Sequence, residues 1–129
     1  MSVSEASRKK TILIVGASDR PDRASHQLLQ RLKARGGYEL ILVHPRLTEI
    51  DGMPVLASLS LVPPGLDLVT MYVNAHTSQG MEADLIRLQP RRVIFNPGAE
   101  NAELLSHLSR QGIEVEEACS LVLLGQNAL

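Results

Sequence analysis

The stretch that decides the fold reads T-I-L-I-V-G-A-S and occupies residues 11–18. Its apolar part, Ile12–Val15, is continuous, rich in β-branched side chains and ended by Gly16. Such a run is typical of a strand that is buried on both faces of a parallel sheet. We therefore predict a strand over Thr11–Val15, followed at once by a tight turn of small residues.

Outward from this strand, segments with strand-like and helix-like patterns alternate. Leucines at helical spacing predict a helix over Ala24–Arg35, which a glycine pair ends. Thr77 is the predicted N-cap of a second helix, and Gly112 is the predicted end of a third. The apolar tail Leu121–Leu124 fits either a strand or a short helix. The other predicted strands are Glu39–Val43, Asp67–Val73, Arg91–Phe95 and Ile113–Val115.

This alternation implies right-handed β-α-β crossovers and therefore a parallel sheet. We predict a three-layer α/β fold with a mainly parallel five-stranded sheet and helices on both faces. A chain of 129 residues suits one domain, which we place at 11–129 after a flexible tail at 1–10. In such folds ligands bind beyond the carboxyl ends of the strands, so the functional residues are expected in the loops there.

Composition narrows the range of functions. The formal net charge is −1, and the chain has two tyrosines, one phenylalanine and no tryptophan. Neither a basic field nor a base-stacking platform therefore favours nucleic acid. The single cysteine, Cys119, excludes an internal disulfide, and no apolar run reaches the length of a signal peptide or a membrane span. We expect a cytoplasmic protein that binds neither nucleic acid nor membrane.

The turn after the first strand is the strongest candidate for a phosphate site. Small residues let backbone amides approach a phosphate, and the amino end of the following helix adds partial positive charge. Hydroxyl and guanidinium groups in the same stretch add further donors. The alternative is that the glycine only makes the turn and the arginines are solvated. The candidate residues are Gly16, Ala17, Ser18, Asp19, Arg20, Arg23 and Ser25.

The same turn is not the dinucleotide-binding fingerprint. G-x-G-x-x-G would need glycines at positions 18 and 21, where Ser18 and Pro21 stand. NAD-binding proteins also place a carboxylate at the end of the second strand, whereas this chain has His44-Pro45-Arg46. A cation there suits a ligand with a phosphate on its ribose. Coenzyme A or NADP is therefore favoured over NAD.

Two further strand ends carry polar or turn-forming residues. Asn74 and Asn96 have amides that suit a polar ligand, while Val73 and Pro97 supply apolar walls. Each of these residues, and Gly98 with them, is also explained by turn formation alone. Their convergence on one edge of the predicted sheet is what favours a binding site.

Catalytic and metal-binding patterns are lacking in the sequence. Cys119 has no histidine at a catalytic spacing, and a structural thiol is the simpler interpretation, although a thiol facing coenzyme A would form a mixed disulfide if exposed and ionised. No histidines, cysteines or carboxylates show the spacing of a known metal site. We therefore predict no catalytic residue and no metal ligand.

A set of short elements recurs here in a characteristic order. They are Gly16-Ala17-Ser18, then Pro21, Arg23 and Ser25, Val43-His44-Pro45, Pro54-Val55, Pro63-Pro64, Asp67-Leu68-Val69, Gly98 and Cys119. This order closely resembles that of the small stand-alone CoA-binding domain proteins. That family shares a Rossmann-like fold with the CoA-binding domain of the succinyl-CoA synthetase α subunit.

The resemblance implies a role for several residues. Those of the first turn, with Arg23 and Ser25, would hold the phosphates of coenzyme A. Pro45 and Arg46 would flank the adenosine end, and Val73 and Asn74 would border the adenine or the pantetheine.

The chain also departs from the family pattern. His44 replaces the usual asparagine, His26 an aromatic residue, and Phe95-Asn96-Pro97-Gly98 a W-x-Q-x-G element. Ser120-Leu-Val-Leu123 stands where the family has a Met-Lys-Ile-Glu-like segment, so a lysine and an acid suited to binding a ligand or a partner are missing.

Three functions are consistent with these features, and we rank them in this order. The first is a non-catalytic module that binds coenzyme A or an acyl-CoA. The second is an enzyme, either NADP-linked or transferring CoA through Cys119, although the chain leaves no room for a separate substrate domain. The third is a degenerate Rossmann domain with a regulatory or interaction role, in which Leu121–Leu124 contacts a second copy or another partner.

Overall fold

Seven strands form one sheet in the computed structural model, which describes residues 9–129. The sheet order is β3-β4-β2-β1-β5-β6-β7. All neighbouring strands are parallel except β3 and β4. The strands are β1 (Lys10–Val15), β2 (Tyr38–Val43), β3 (Glu49–Ile50), β4 (Met53–Leu56), β5 (Leu68–Met71), β6 (Arg92–Phe95) and β7 (Glu114–Glu117).

Five α-helices connect or follow these strands. The apolar tail, which the sequence left open between strand and helix, is the last of them. Two 3₁₀ turns, Leu59–Leu61 and Gln79–Met81, complete the regular structure of the described chain. The helices are α1 (Ala24–Arg35), α2 (Ala75–Ser78), α3 (Glu82–Leu88), α4 (Ala102–Arg110) and α5 (Ser120–Gly125).

Both faces of β1 are buried, because successive side chains of a strand point to opposite sides of the sheet. Ile12 and Ile14 pack in one core with leucines of α1 and α5. Leu13 and Val15 pack in a second core with leucines of α3 and α4. The predicted α/β fold with helices on both faces is therefore confirmed.

The predicted number of five strands is wrong. The two additional strands lie between β2 and β5, a segment for which we predicted neither strand nor helix; β3 has two residues and β4 contains Pro54. Asp51 and Gly52 join them with φ angles of 51° and 81°. Positive φ at both central residues is characteristic of a type I′ hairpin, for which Asp-Gly is a preferred sequence. A two-residue strand is too short to show any pattern, and proline is uncommon inside a strand.

Smaller differences concern the ends of elements. β1 begins at Lys10, one residue before the predicted strand, while residues 1–8 of the predicted tail lie outside the described part of the chain. Thr77 is not an N-cap, because it lies within α2. Asn74 caps that helix instead, and its Oδ1 accepts a hydrogen bond of 3.0 Å from the Thr77 amide.

The sheet order places a crevice at the carboxyl end of β1. β2 lies on one side of β1 and β5 on the other. The chain therefore builds the sheet outward from β1 to β2 in one direction, and later returns to build it outward from β5 in the opposite direction. This reversal opens a gap between the loops that follow β1 and β5, the usual ligand position in open α/β sheets. The candidate site is built around this gap.

Candidate functional site

Gly16 brings the loop after β1 into close contact with the end of β5. Its φ is +84°, and a Cβ atom at this position would lie 3.0 Å from Val73 Cγ1 and 3.2 Å from the carbonyl carbon of Tyr72. The amides of Gly16 and Ala17 both donate to the Val43 carbonyl, at 3.1 and 3.2 Å. These two amides are therefore engaged with β2 and do not face a phosphate, contrary to what the sequence suggested.

The open backbone donors lie slightly further along the chain. Within residues 9–129, the amides of Ser18 and Asp19 and those of the first two helical residues, Ala24 and Ser25, donate to no protein acceptor. Arg23 is the N-cap residue of α1, but its side chain caps nothing, and the first turn has no acidic residue. The amino end of α1 thus presents uncompensated donors and partial positive charge to the gap.

Three guanidinium groups line the same gap. Arg20 and Arg23 precede α1, and Arg46 follows β2. All three are exposed, and none forms an ion pair or a side-chain hydrogen bond with another described residue. Asp19 is the one carboxylate that lines the gap along with them. The wall therefore carries an excess of positive charge, which favours an anionic ligand.

His44 shapes the loop that carries Arg46. Its Nδ1 accepts hydrogen bonds of 3.0 Å from the amides of Arg46 and Leu47. A side chain that accepts from amides two and three residues further on is the device that asparagine uses in Asx turns. The imidazole therefore does here what the family's asparagine would do.

These groups surround a cavity of about 720 Å³. All but three of the sequence-predicted site residues line it, and it also includes four residues that were not predicted. Thr77 was not predicted as a site residue because it was assigned as a helix cap. Tyr72 was assigned only as part of the strand Asp67–Val73. The predicted residues that line the cavity are Gly16, Ala17, Ser18, Asp19, Arg20, Arg23, Ser25, His44, Pro45, Arg46, Val73 and Pro97, and the additional ones are Ala24, Leu47, Tyr72 and Thr77.

Three predicted site residues have other tasks. Asn74 caps α2, as described above, and its side chain is exposed outside the cavity wall. Gly98 adopts a φ of +91° in the turn after β6, where its amide donates to the Glu100 carboxylate. Asn96 is buried, with 1% of its surface exposed.

Asn96 is the centre of a buried polar network that connects three elements. Its Nδ2 donates to Thr70 Oγ1 at 2.7 Å and to the Met71 carbonyl at 2.9 Å. Its Oδ1 accepts from the Ser120 amide at 2.8 Å, and the hydroxyls of Thr70 and Ser120 are 2.8 Å apart. Because buried polar groups are costly unless satisfied, this network fixes the ends of β5 and β6 against α5. Asn96 thus holds the scaffold under the cavity and does not line it.

Tyr72 connects that network to the cavity wall. The pKa of Tyr72 is raised to about 12, mainly by burial; hydrogen bonding with Thr70 and Ser120 lowers it, and the nearby Cys119 thiol adds to the increase. The phenol is therefore neutral at physiological pH and is available only as a hydrogen-bonding group. Cys119 is half-buried, precedes α5 and does not line the cavity.

A second cavity of about 300 Å³ adjoins the first. The two share Gly16, Pro45, Val73 and Thr77 in their walls. The rest of the second cavity is mainly aliphatic, with a few polar groups at its rim. Its other lining residues are Val15, Val43, Ala57, Ser58, Leu59, Gly80, Met81 and Asp84.

Across residues 9–129, no three histidine, cysteine or carboxylate side chains are grouped to hold a metal ion. Among the helices described, none is both long and apolar enough to traverse a bilayer.

The reversal of strand order and the gap that it opens place the chain in the class of Rossmann-like α/β proteins. A family model described as CoA binding domain matches residues 10–125. The chain therefore belongs to the CoA-binding domain family.

The chain is also similar to two uncharacterized proteins. The uncharacterized protein YneT of Bacillus subtilis (strain 168) is 30% identical over 105 residues, which are 81% of this chain and 77% of YneT. A crystal structure of an uncharacterized protein has 36% identity and a TM-score of 0.86, and the similarity covers 94% of this chain and 98% of that one.

A dinucleotide-forming acetyl-coenzyme A synthetase of Ca. Korarchaeum cryptofilum, solved with phosphate and ADP, contains a similar fold. It has 23% identity and a TM-score of 0.68 over 91% of this chain, which corresponds to 27% of the synthetase. At this identity the similarity shows the fold alone.

Proposed function

We propose that this protein is a non-catalytic module that binds coenzyme A or an acyl-CoA. The observation that carries the proposal is the open amino end of α1 facing the same cavity as Arg20, Arg23 and Arg46, none of them paired with a carboxylate in the described chain. Coenzyme A has a pyrophosphate and a separate ribose phosphate. A wall with cations at two places, before α1 and after β2, suits this pair of phosphate groups.

The pyrophosphate is proposed to lie at the amino end of α1. The unpaired amides of Ala24 and Ser25 lie at this end, Ser25 also lines the cavity, and Arg23 adds charge beside them. The Ser18 amide completes the set of donors. Fixed donors at a helix amino end bind phosphate without reorganisation, which favours this position over a more exposed one.

The adenosine is proposed to follow β2 and to enter the second cavity. The ribose of nucleotides in open α/β sheets lies at the end of the second strand, where this chain has His44 and Arg46 in place of a carboxylate. Pro45 and Val73 form apolar walls where the two cavities meet, and they suit a flat base. The more polar first cavity remains for the pyrophosphate and the beginning of the pantetheine.

The proposal of a binding role in place of catalysis rests on the chemistry of the wall. Its side chains bind anions, and none of them is a nucleophile with a base in hydrogen-bonding distance. An NADP-linked activity is the alternative that shares the preference for a phosphorylated ribose. An interface made by the apolar tail receives less support, because Leu124 is buried in the core. Val122 alone is a small apolar surface for binding a partner.

Calorimetric titration with CoA, acetyl-CoA, NADP and NAD tests the proposal. We expect CoA and acetyl-CoA to bind more tightly than NADP, and NAD to bind weakest because it lacks the ribose phosphate. Absent binding of all four, or equal affinity for all four, would refute it. A preference for NADP would instead support the alternative. The cytoplasmic location and the single-domain organisation stay predictions.

A further inference from the structure

His44 has two nitrogens with different tasks. The residue is half-buried at the end of β2, and its backbone amide donates to the Leu56 carbonyl at 3.0 Å. Nδ1 accepts from the amides of Arg46 and Leu47. Nε2 has no hydrogen-bond partner among residues 9–129, and the residue lines the main cavity.

The two amides fix the tautomer of this ring. A nitrogen that accepts hydrogen bonds carries no proton, so the neutral imidazole must be protonated at Nε2. An asparagine at this position would supply the same acceptor, since its Oδ1 occupies the place of Nδ1 relative to Cγ. Its own donor, Nδ2, would stand at the place of the imidazole Cδ2, one bond short of Nε2. The histidine therefore carries its N–H group one bond further from Cγ than an asparagine would.

The position of this donor indicates which part of a ligand it meets. His44 and Arg46 both follow β2, where the ribose of a nucleotide lies in open α/β sheets. Between β2 and Thr48 the chain has no carboxylate, so nothing in this loop repels a phosphate. A neutral N–H beside a guanidinium is suited to the oxygens of a phosphate that is attached directly to the ribose.

We propose that His44 is a specificity-determining residue that donates from Nε2 to the ribose phosphate, next to Arg46. This inference rests on the proposed function, because it assumes that coenzyme A occupies the cavity. It adds a role for one residue: Nδ1 positions the Arg46 loop, and Nε2–H distinguishes a phosphorylated ribose from an unphosphorylated one.

The variant His44→Asn separates the two roles, because it keeps the acceptor but leaves no donor at the place of Nε2. We expect its melting temperature to match that of the natural protein and its affinity for CoA to fall by about tenfold, as for a lost hydrogen bond to a charged group. Affinity for 3′-dephospho-CoA is expected to change by less than about twofold. His44→Ala removes acceptor and donor together and is expected to lower both the melting temperature and the affinity. His76→Asn, an exposed histidine outside the main cavity, is the matched control.

Each outcome is informative. If the natural protein binds no CoA, the proposed function fails, and ¹⁵N chemical shifts of the His44 ring still test the tautomer; protonation at Nδ1 would overturn the positioning role. If CoA binds and His44→Asn binds it equally well, the donor role is overturned while the proposed function stands. If His44→Asn loses the same factor for CoA and 3′-dephospho-CoA, His44 does not act on the ribose phosphate. A CoA-dependent shift of Nε2 that 3′-dephospho-CoA does not produce would support the inference.

Discussion

Gly16 and Val73 approach each other so closely that a Cβ atom at position 16 would lie 3.0 Å from Val73 Cγ1. This contact joins the loops after β1 and β5, which form the two sides of the crevice. It leaves the side of position 16 that faces β5 with no room for a side chain. Because Gly16 and Val73 line both cavities, the contact lies where the two cavities meet.

Gly16→Ala is expected to destabilise the protein by about 2–3 kcal/mol, because the substitution adds a steric conflict to the cost of a positive φ. Gly112→Ala is the matched control. Gly112 also has a positive φ, of +81°, but no atom lies within 4 Å of the place its Cβ would take. It should cost about 1 kcal/mol, the backbone term alone. Urea unfolding measures both, and equal losses would contradict the close contact.

Arg23→Gln is expected to weaken CoA binding by about three- to tenfold without changing the free energy of unfolding. The reason is that the Arg23 side chain makes no hydrogen bond or ion pair with another described residue, so its charge is available to a ligand. Arg31→Gln alters an exposed arginine in the same helix, outside the cavity, and should leave the affinity unchanged.

Salt provides an independent check on the arginine. Raising the ionic strength should weaken CoA binding more in the natural protein than in Arg23→Gln, because one of the screened attractions is already gone from the variant. Calorimetry at two salt concentrations measures the difference. Parallel salt dependence in the two proteins would mean that Arg23 does not face the phosphates.

Asn96→Ala is expected to destabilise the protein by about 3 kcal/mol, because the Ser120 amide and the Thr70 hydroxyl lose a buried partner. Asn74→Ala provides the contrast, since it removes an exposed helix cap and should cost about 1 kcal/mol. Both losses are measured by urea unfolding. A similar small loss in the two variants would show that the network around Asn96 contributes less than its burial implies.

Asn96 also illustrates how far the sequence leads. The apolar run of β1, the glycine turn and the alternation of elements were readable because each depends on residues close together in the chain. Asn96 was predicted to face a ligand because a strand-end asparagine has the same local sequence whether it lines a cavity or bonds to distant residues. Its partners Thr70 and Ser120 lie 26 and 24 residues away, and only the fold brings them together.

The β3–β4 hairpin marks a different limit. β3 has only two residues, too few to show any periodicity, and β4 contains Pro54, a residue that is uncommon inside strands. Proline is tolerated in β4 where it pairs with Glu49 of the short edge strand β3. Most of the predicted site residues, in contrast, line the main cavity, because they follow directly from the strand ends that the sequence already located.

Tyr72 should make the stability of the protein depend on pH in the alkaline range. Burial raises its pKa to about 12, whereas an exposed tyrosine ionises near pH 10. The folded state therefore retains the proton more strongly than the unfolded state. The contribution is fully present below about pH 10 and is lost as the pH rises towards 12.

Tyr72→Phe removes this titration and isolates it from that of other groups. Between pH 10 and 12 the natural protein should lose stability relative to the variant, while below pH 10 the difference between them should be constant. Urea unfolding across this range measures the difference. Parallel curves throughout would show that the phenol is not shielded from water.

Met81→Trp tests the proposed position of the adenine. Met81 lines the second cavity from the 3₁₀ turn Gln79–Met81, and a larger side chain there would occupy part of its roughly 300 Å³. We expect CoA to bind at least about tenfold more weakly, since a base displaced from an apolar pocket loses its buried contact area. 4′-Phosphopantetheine, which has no adenine, should bind the variant and the natural protein equally. Leu61→Trp places the same side chain at an exposed position that lines neither cavity, and it should change neither affinity. If Met81→Trp binds CoA as well as the natural protein does, the base does not lie in the second cavity and must share the first with the phosphates.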